Sequence, residues 1–181
     1  MTQTQPETPL AVDGIRERTY RWQDPSPIFA SLGTASGIEL LKTMEAGELP
    51  PPPIMHTLGL AGFSADLGTA SFRLVPQEFH YNPLGSVHGG VIAMLLDSAA
   101  GCAVHSVLPA GEGYTSVDLV TKYLRPVTVE TGEITAVGSV LSRGSRTALA
   151  EARLTDARGR LLAHATSTCM VFPIPTTPGS A

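Results

Sequence analysis

The chain has 181 residues, 43% of them hydrophobic and 15% charged, with a formal net charge of −4 at pH 7. That supports one globular domain with a substantial core and leaves little room for a second. An acidic chain lacks the clustered Lys and Arg of a nucleic-acid binder, and no stretch approaches the roughly eighteen consecutive apolar residues of a membrane span.

The first thirty or so residues are polar and carry prolines without a sustained period, so they are expected to be loose or to lie over a neighbour's surface. They lack the basic-then-apolar order of a signal peptide, which makes the cytoplasm the expected location. Residues 36–44 read as a short helix with Ser36 as N-cap and Gly47 as stop, and Pro50 to Pro53 break the chain after it. Strand-like sequence begins at His56 and runs to about Ala65; a turn at 66–68 then leads into a second strand over 69–75, making a hairpin. A loop over 76–86 precedes a long helix over 90–108, closed by Pro109 and the turn at 111–113. Its apolar residues go nearly all the way round, the mark of a helix buried on most sides. Strands are expected over 114–124, 132–141, 146–155 and 160–172, and their short connections predict antiparallel neighbours. The last residues, 173–181, read as a disordered tail. One buried helix against one antiparallel sheet is an α+β architecture.

Within the long helix Asp97 is the only charged residue. An ionised carboxylate among apolar side chains costs several kcal/mol (roughly) unless it is paired or used. Cys102 and Cys169 sit in apolar runs and read as small buried hydrophobes in a reducing compartment. His56, His80, His88, His105 and His164 are scattered without ligand spacing, so neither a metal nor another cofactor is expected. Charge is uneven: residues 1–109 carry net −5 and residues 110–181 net +1, so an anionic ligand is better matched by the C-terminal half.

The loop Asn82-Pro-Leu-Gly-Ser-Val, the turn His88-Gly-Gly90, Leu95-Leu-Asp97, the strand Tyr114-Thr-Ser-Val-Asp118 and Tyr123-Leu-Arg-Pro126 follow one another in order. In this combination the chain resembles the hotdog-fold thioesterases, in the branch named after phenylacetate degradation, over about residues 53–172. The resemblance implies a curved antiparallel sheet wrapped around a long central helix, with residues 1–52 as an N-terminal extension. It also implies hydrolysis of acyl-CoA at a site shared by two subunits. Carried over, Asp97 becomes the general base or nucleophile and the Gly89 N–H the oxyanion donor. Asn82 and His88 become organisers of the thioester side, Ser116 a polar neighbour of the attacking water, and Gly90 part of the substrate site.

CoA phosphates would call for basic groups, and Arg125, Arg143 and Arg146 stand at strand ends and turns, with Gly144 and Ser145 adding donors. Each site residue also has a plainer reading. Asp97 could tie down a loop, His88 could bond a turn carbonyl, Asn82-Pro83 is an ordinary turn signal, Ser116 could pack in a strand, and the arginines could be solvated. Gly89 and Asp97 are eight positions apart, which is roughly 12 Å along one helix at 1.5 Å per residue. One carbonyl cannot touch both. A second copy of the helix, antiparallel across a two-fold axis, could bring them together, and the small residues Gly90, Ala93, Ala100, Gly101 and Val104 beside Asp97 would permit the approach. A homodimer is therefore expected, with dimers of dimers left open. The rival readings are a non-catalytic acyl-CoA or lipid binder and a hotdog dehydratase or hydratase; the second is weakened by Asn82 standing where an acid-base partner would be needed.

Overall fold

A computed structural model describes residues 14–174. Three short helices, α1 (Ser26–Ser31), α2 (Gly37–Glu45) and α3 (Pro53–Leu58), precede a hairpin of β1 (Leu60–Asp66) and β2 (Thr69–Leu74). The long helix α4 (Gly89–Ser106) follows, and then β3 (Glu112–Ser116), β4 (Val120–Tyr123), β5 (Ile134–Arg143), β6 (Thr147–Asp156) and β7 (Leu161–Pro173). The strands form one antiparallel sheet in the order β1-β2-β5-β6-β7-β3, with β4 also paired to β7.

The sheet wraps α4 because its inner face is made small. Ala136, Ala150, Ala152, Ala163 and Ala165 are fully buried, opposite Leu95, Leu96, Ala99, Ala100 and Ala103 of the helix. At β5 the backbones nearly touch: a Cβ on Gly138 would lie 2.1 Å from the Ala99 carbonyl oxygen. Extra residues in β1, β5 and β7 add the local bends that bulges produce in a curving sheet. Burial of Leu95 and Leu96 contributes about 1.5–3 kcal/mol each. The length and composition of α4 would suit a membrane span, but here it is the core helix of the sheet.

The structure corrects several expectations. His56 belongs to α3 and not to a strand: Pro53 is tolerated in a first helical turn, and Gly59 ends the helix at φ 67°. Within the first thirty residues, 26–31 form α1, which Pro27 helps to start and Ile28 anchors by burial. The strand expected over 114–124 is two strands, since between them Asp118 Oδ1 accepts the Thr168 N–H at 2.8 Å in place of a ladder carbonyl. Both pieces pair with β7, not with the strand that follows them. Pro173, placed in the tail, ends β7 opposite Glu112, while residues 175–181 of that tail and residues 1–13 lie outside the described residues.

The N-terminal helices pack on this core. In α2, Ser36 and Glu39 form a capping box, and the N-terminus of α2 docks on the C-terminal end of α4. The Gly37 N–H donates to the Leu108 carbonyl at 2.9 Å, and a Cβ on Gly37 would lie 1.7 Å from the His105 carbonyl oxygen.

Candidate active site

Asp97 lies on α4 half-covered, and the Ser116 hydroxyl of β3 donates to its Oδ1 at 2.9 Å. Strand alternation puts Tyr114 two residues back on the same face as Ser116, and Tyr114 joins Asp97 on the wall of one cavity of about 190 Å³. Ser98, Cys102, Phe63 and Phe72 line it from the core side, and Leu41, Met44, Pro52, Ile54 and Met55 from the N-terminal segment. Burial, with Asp97 adding to it, pushes the Cys102 thiol up to about 12. Burial also raises the Tyr114 phenol well above its usual value, with Cys102, Cys169 and Asp97 adding to the effect. Both groups keep their protons near neutrality. Asp97 is the one carboxylate among the described residues of this wall.

Gly89 opens α4 on a different cavity of about 300 Å³, with Ser86, Ile92, Tyr123 and Arg125 on its wall. The first N–H groups of a helix have no partner within it and sit at the positive end of its dipole. Among the described residues the Gly89 N–H donates to nothing. The Tyr123 hydroxyl donates to the Gly89 carbonyl at 3.1 Å and packs its ring where a Cβ on that glycine would be.

The other motif residues shape this helix start. His88 is the N-cap: its Nδ1 accepts the Gly90 N–H at 2.9 Å, so that donor is engaged within the chain. Asn82 closes its own loop, its Oδ1 accepting from Leu84 N at 2.8 Å and its Nδ2 donating to Ser86 Oγ at 3.2 Å. Neither side chain hydrogen-bonds to Asp97.

The basic residues separate as well. Arg125 stands beside Gly89 and donates one guanidinium N–H to the Leu161 carbonyl at 2.7 Å. Arg143 is paired with Glu112. Ser145 and Arg146 line a third cavity with Glu112, Met170 and Phe172, and the Gly144 N–H closes the β5–β6 turn on the Thr147 carbonyl at 2.8 Å. Of the small residues expected to face a second copy of α4, Ala100, Gly101 and Val104 are buried in the chain's own core, Gly101 against the Tyr114 ring. Gly90, Ala93 and Asp97 remain partly uncovered. No cluster of three or more His, Cys, Asp or Glu side chains among the described residues could hold a metal ion.

The sequence alone assigned no site role to Tyr114, Tyr123 or the N-terminal wall. Period-two alternation from Ser116 is a signal that reaches Tyr114; for the wall residues the sequence carries no comparable motif.

Residues 84–163 match the model of the thioesterase superfamily. The medium/long-chain acyl-CoA thioesterase YigI of Escherichia coli is 37% identical over an alignment of 134 positions that covers 66% of this chain and 85% of that protein. Mouse acyl-coenzyme A thioesterase 13 is 34% identical over 89 residues, 49% of this chain; the chain spans 62% of that enzyme's length. Among solved structures, the E. coli PaaI protein of the phenylacetic acid degradation operon superimposes with a TM-score of 0.65 at 20% identity, over 78% of this chain and 96% of that one.

Proposed function

Since the chain belongs to the thioesterase superfamily and shares its wrapped-helix fold, we propose that it hydrolyses acyl-CoA thioesters to the free acid and CoA. The observation that carries this reading is Asp97: an acidic side chain held by Ser116 on the wall of an otherwise largely apolar cavity. Ser116 occupies Oδ1, and Oδ2 has no partner among the described residues. That oxygen takes a proton from water as the water adds to the thioester carbonyl, or adds to the carbonyl itself to give, on loss of CoA, a mixed anhydride that water then hydrolyses to the free acid and Asp97. In either case the carbonyl oxygen becomes negative, the C–S bond breaks, and CoA leaves as the thiol once protonated.

The developing oxyanion needs a donor aimed at it, and the Gly89 N–H is of the right kind. It lies about 12 Å along the helix from Asp97 and on a different cavity, so in this reading the donor comes from a second subunit. The working unit is then a homodimer with two composite sites, its helices meeting over Gly90, Ala93 and Asp97. Arg125, beside Gly89, is the arginine best placed for CoA phosphates; Glu112 already neutralises Arg143. His88 and Asn82 act by fixing the helix start.

The reading is tested by thiol release across short, long and aromatic acyl-CoAs, comparing wild type with Asp97→Asn. The expected result is a fall in kcat of at least about 10²-fold with acyl-CoA binding retained. Near-wild-type turnover in the variant would remove Asp97 from the chemistry. Binding without turnover in the wild type would make the protein a carrier.

A further inference from the structure

Interiors close-pack and leave few voids larger than a water molecule. The half-open cavity of about 190 Å³ beside Asp97 is much larger than such a void and is a pocket, not a packing defect. One side of it is built by Leu41 and Met44 of α2 and by Ile54 and Met55 of α3, all upstream of residues 84–163, where the superfamily match lies. We propose that the segment from α2 to α3 selects the acyl chain, with Met44 and Met55 setting the length admitted beside Asp97. This rests on the hydrolytic reading above and names the substrate class for it: an uncharged, apolar acyl chain.

The chemistry of the wall sets the class. Apart from Asp97, its described side chains are apolar or carry neutral hydroxyl and thiol groups, so an acyl chain ending in a charge would be desolvated without a partner. Methionine is unbranched and adapts to irregular apolar shapes, which suits a wall that meets a chain and not a fixed ring of contacts.

No side chain of α3 is fully buried, and Ile54 is 48% exposed. Instead α3 is held by its last carbonyls: Arg18 donates to His56 O at 2.8 Å and to Thr57 O at 2.6 Å, and the His80 Nε2–H donates to Leu58 O at 2.8 Å. The Arg18 guanidinium is itself stacked 4.0 Å from the centre of the Phe79 ring. Arg18 is thus a positioning residue for the pocket wall.

The experiment measures kcat/KM and calorimetric Kd over straight-chain acyl-CoAs of about four to twelve carbons, for wild type and for Met44→Trp, Met55→Trp, Met44→Ala and Met55→Ala. Each methylene of room gained or lost is worth about 10- to 200-fold in discrimination. The tryptophan variants are expected to move the optimum to shorter chains by at least about tenfold in relative kcat/KM, and the alanine variants to longer ones. If a tryptophan variant fails to fold, as judged by circular dichroism, the alanine pair carries the test. An active wild type whose variants keep its chain-length profile overturns the selector. A wild type silent across the series overturns the hydrolytic reading instead, and the Kd profile still decides the selector by the same shift or its absence.

Discussion

At the scale of single residues, one of the tightest constraints in the molecule is a missing side chain in the core. Gly138 has no Cβ where the helix backbone crosses β5; one placed there would sit 2.1 Å from Ala99 O and 2.7 Å from Ala100 N. Neither neighbour is a flexible side chain, so Gly138→Ala can be accommodated only by moving α4 off the sheet. Overpacking of a filled core typically costs about 1–3 kcal/mol, and rigid backbone neighbours put this case at the upper end. The expected outcome is a lower midpoint in urea unfolding with an unchanged m-value; an unshifted midpoint would show that helix and strand are not held this closely. Displacing α4 also displaces Asp97 from Ser116, so turnover should fall with stability.

At the scale of elements, α2 links stability to the pocket. The Ser36 hydroxyl accepts the Glu39 N–H, and Glu39 Oε2 accepts the Ser36 N–H at 2.9 Å, so two otherwise unpaired donors are satisfied. The positive end of α2 then meets the last carbonyls of α4, an arrangement that the two helix dipoles favour. Ser36→Ala should cost about 0.5–2 kcal/mol, read as a drop in Tm of about 2–4 °C per kcal/mol for a chain of this size. An unchanged Tm would mean that α2 docks without its cap. Ser36 as the cap was legible in the sequence, whereas its reciprocal bond with Glu39 was seen only in the structure; the β1–β2 hairpin and the β5-β6-β7 meander were legible from their turns and alternation. α3 was not: six residues are too few for a helical period, and distant side chains, Arg18 and His80, hold it in place. The break at 117–119 likewise depends on where Asp118 finds Thr168. At the candidate site, Asp97 stood out as a lone charge in an apolar helix. The Met44 and Met55 wall did not, since apolar residues far upstream become its lining only through the tertiary fold.

At the scale of the whole molecule, proton uptake and subunit pairing each give a test. His80 is buried and neutral, its Nδ1 accepting the Gln77 N–H at 2.9 Å, and burial, with Arg18 adding to it, holds its pKa below the usual 6.5 against the opposing pull of the Leu58 carbonyl. Burial lowers His105 as well. With folded values depressed, the unfolded chain takes up protons first as pH falls. Their stabilisation is whole above about pH 6.5 and is lost as pH drops through the lower folded values. Urea midpoints at about pH 7.5 and 5 should therefore differ, less so in His80→Gln; equal midpoints in the wild type would contradict the neutral, buried state. Subunit pairing is tested by mixing two inactive proteins. An Asp97→Asn chain retains Gly89, and a Gly89→Val chain retains Asp97 but crowds Tyr123 at the helix start. If each site takes Asp97 from one subunit and the Gly89 N–H from the other, a mixed dimer has one site with both defects and one with neither. Random re-association of equal amounts makes about half of the dimers mixed, and so restores about one quarter of wild-type activity. If each site lies within one chain, every site in the mixture keeps a defect and activity stays at the level of the parents. Recovery on co-refolding therefore requires that the two cavities, separate in one chain, be joined across the dimer, and its absence would return Gly89 to a purely structural role at the start of α4.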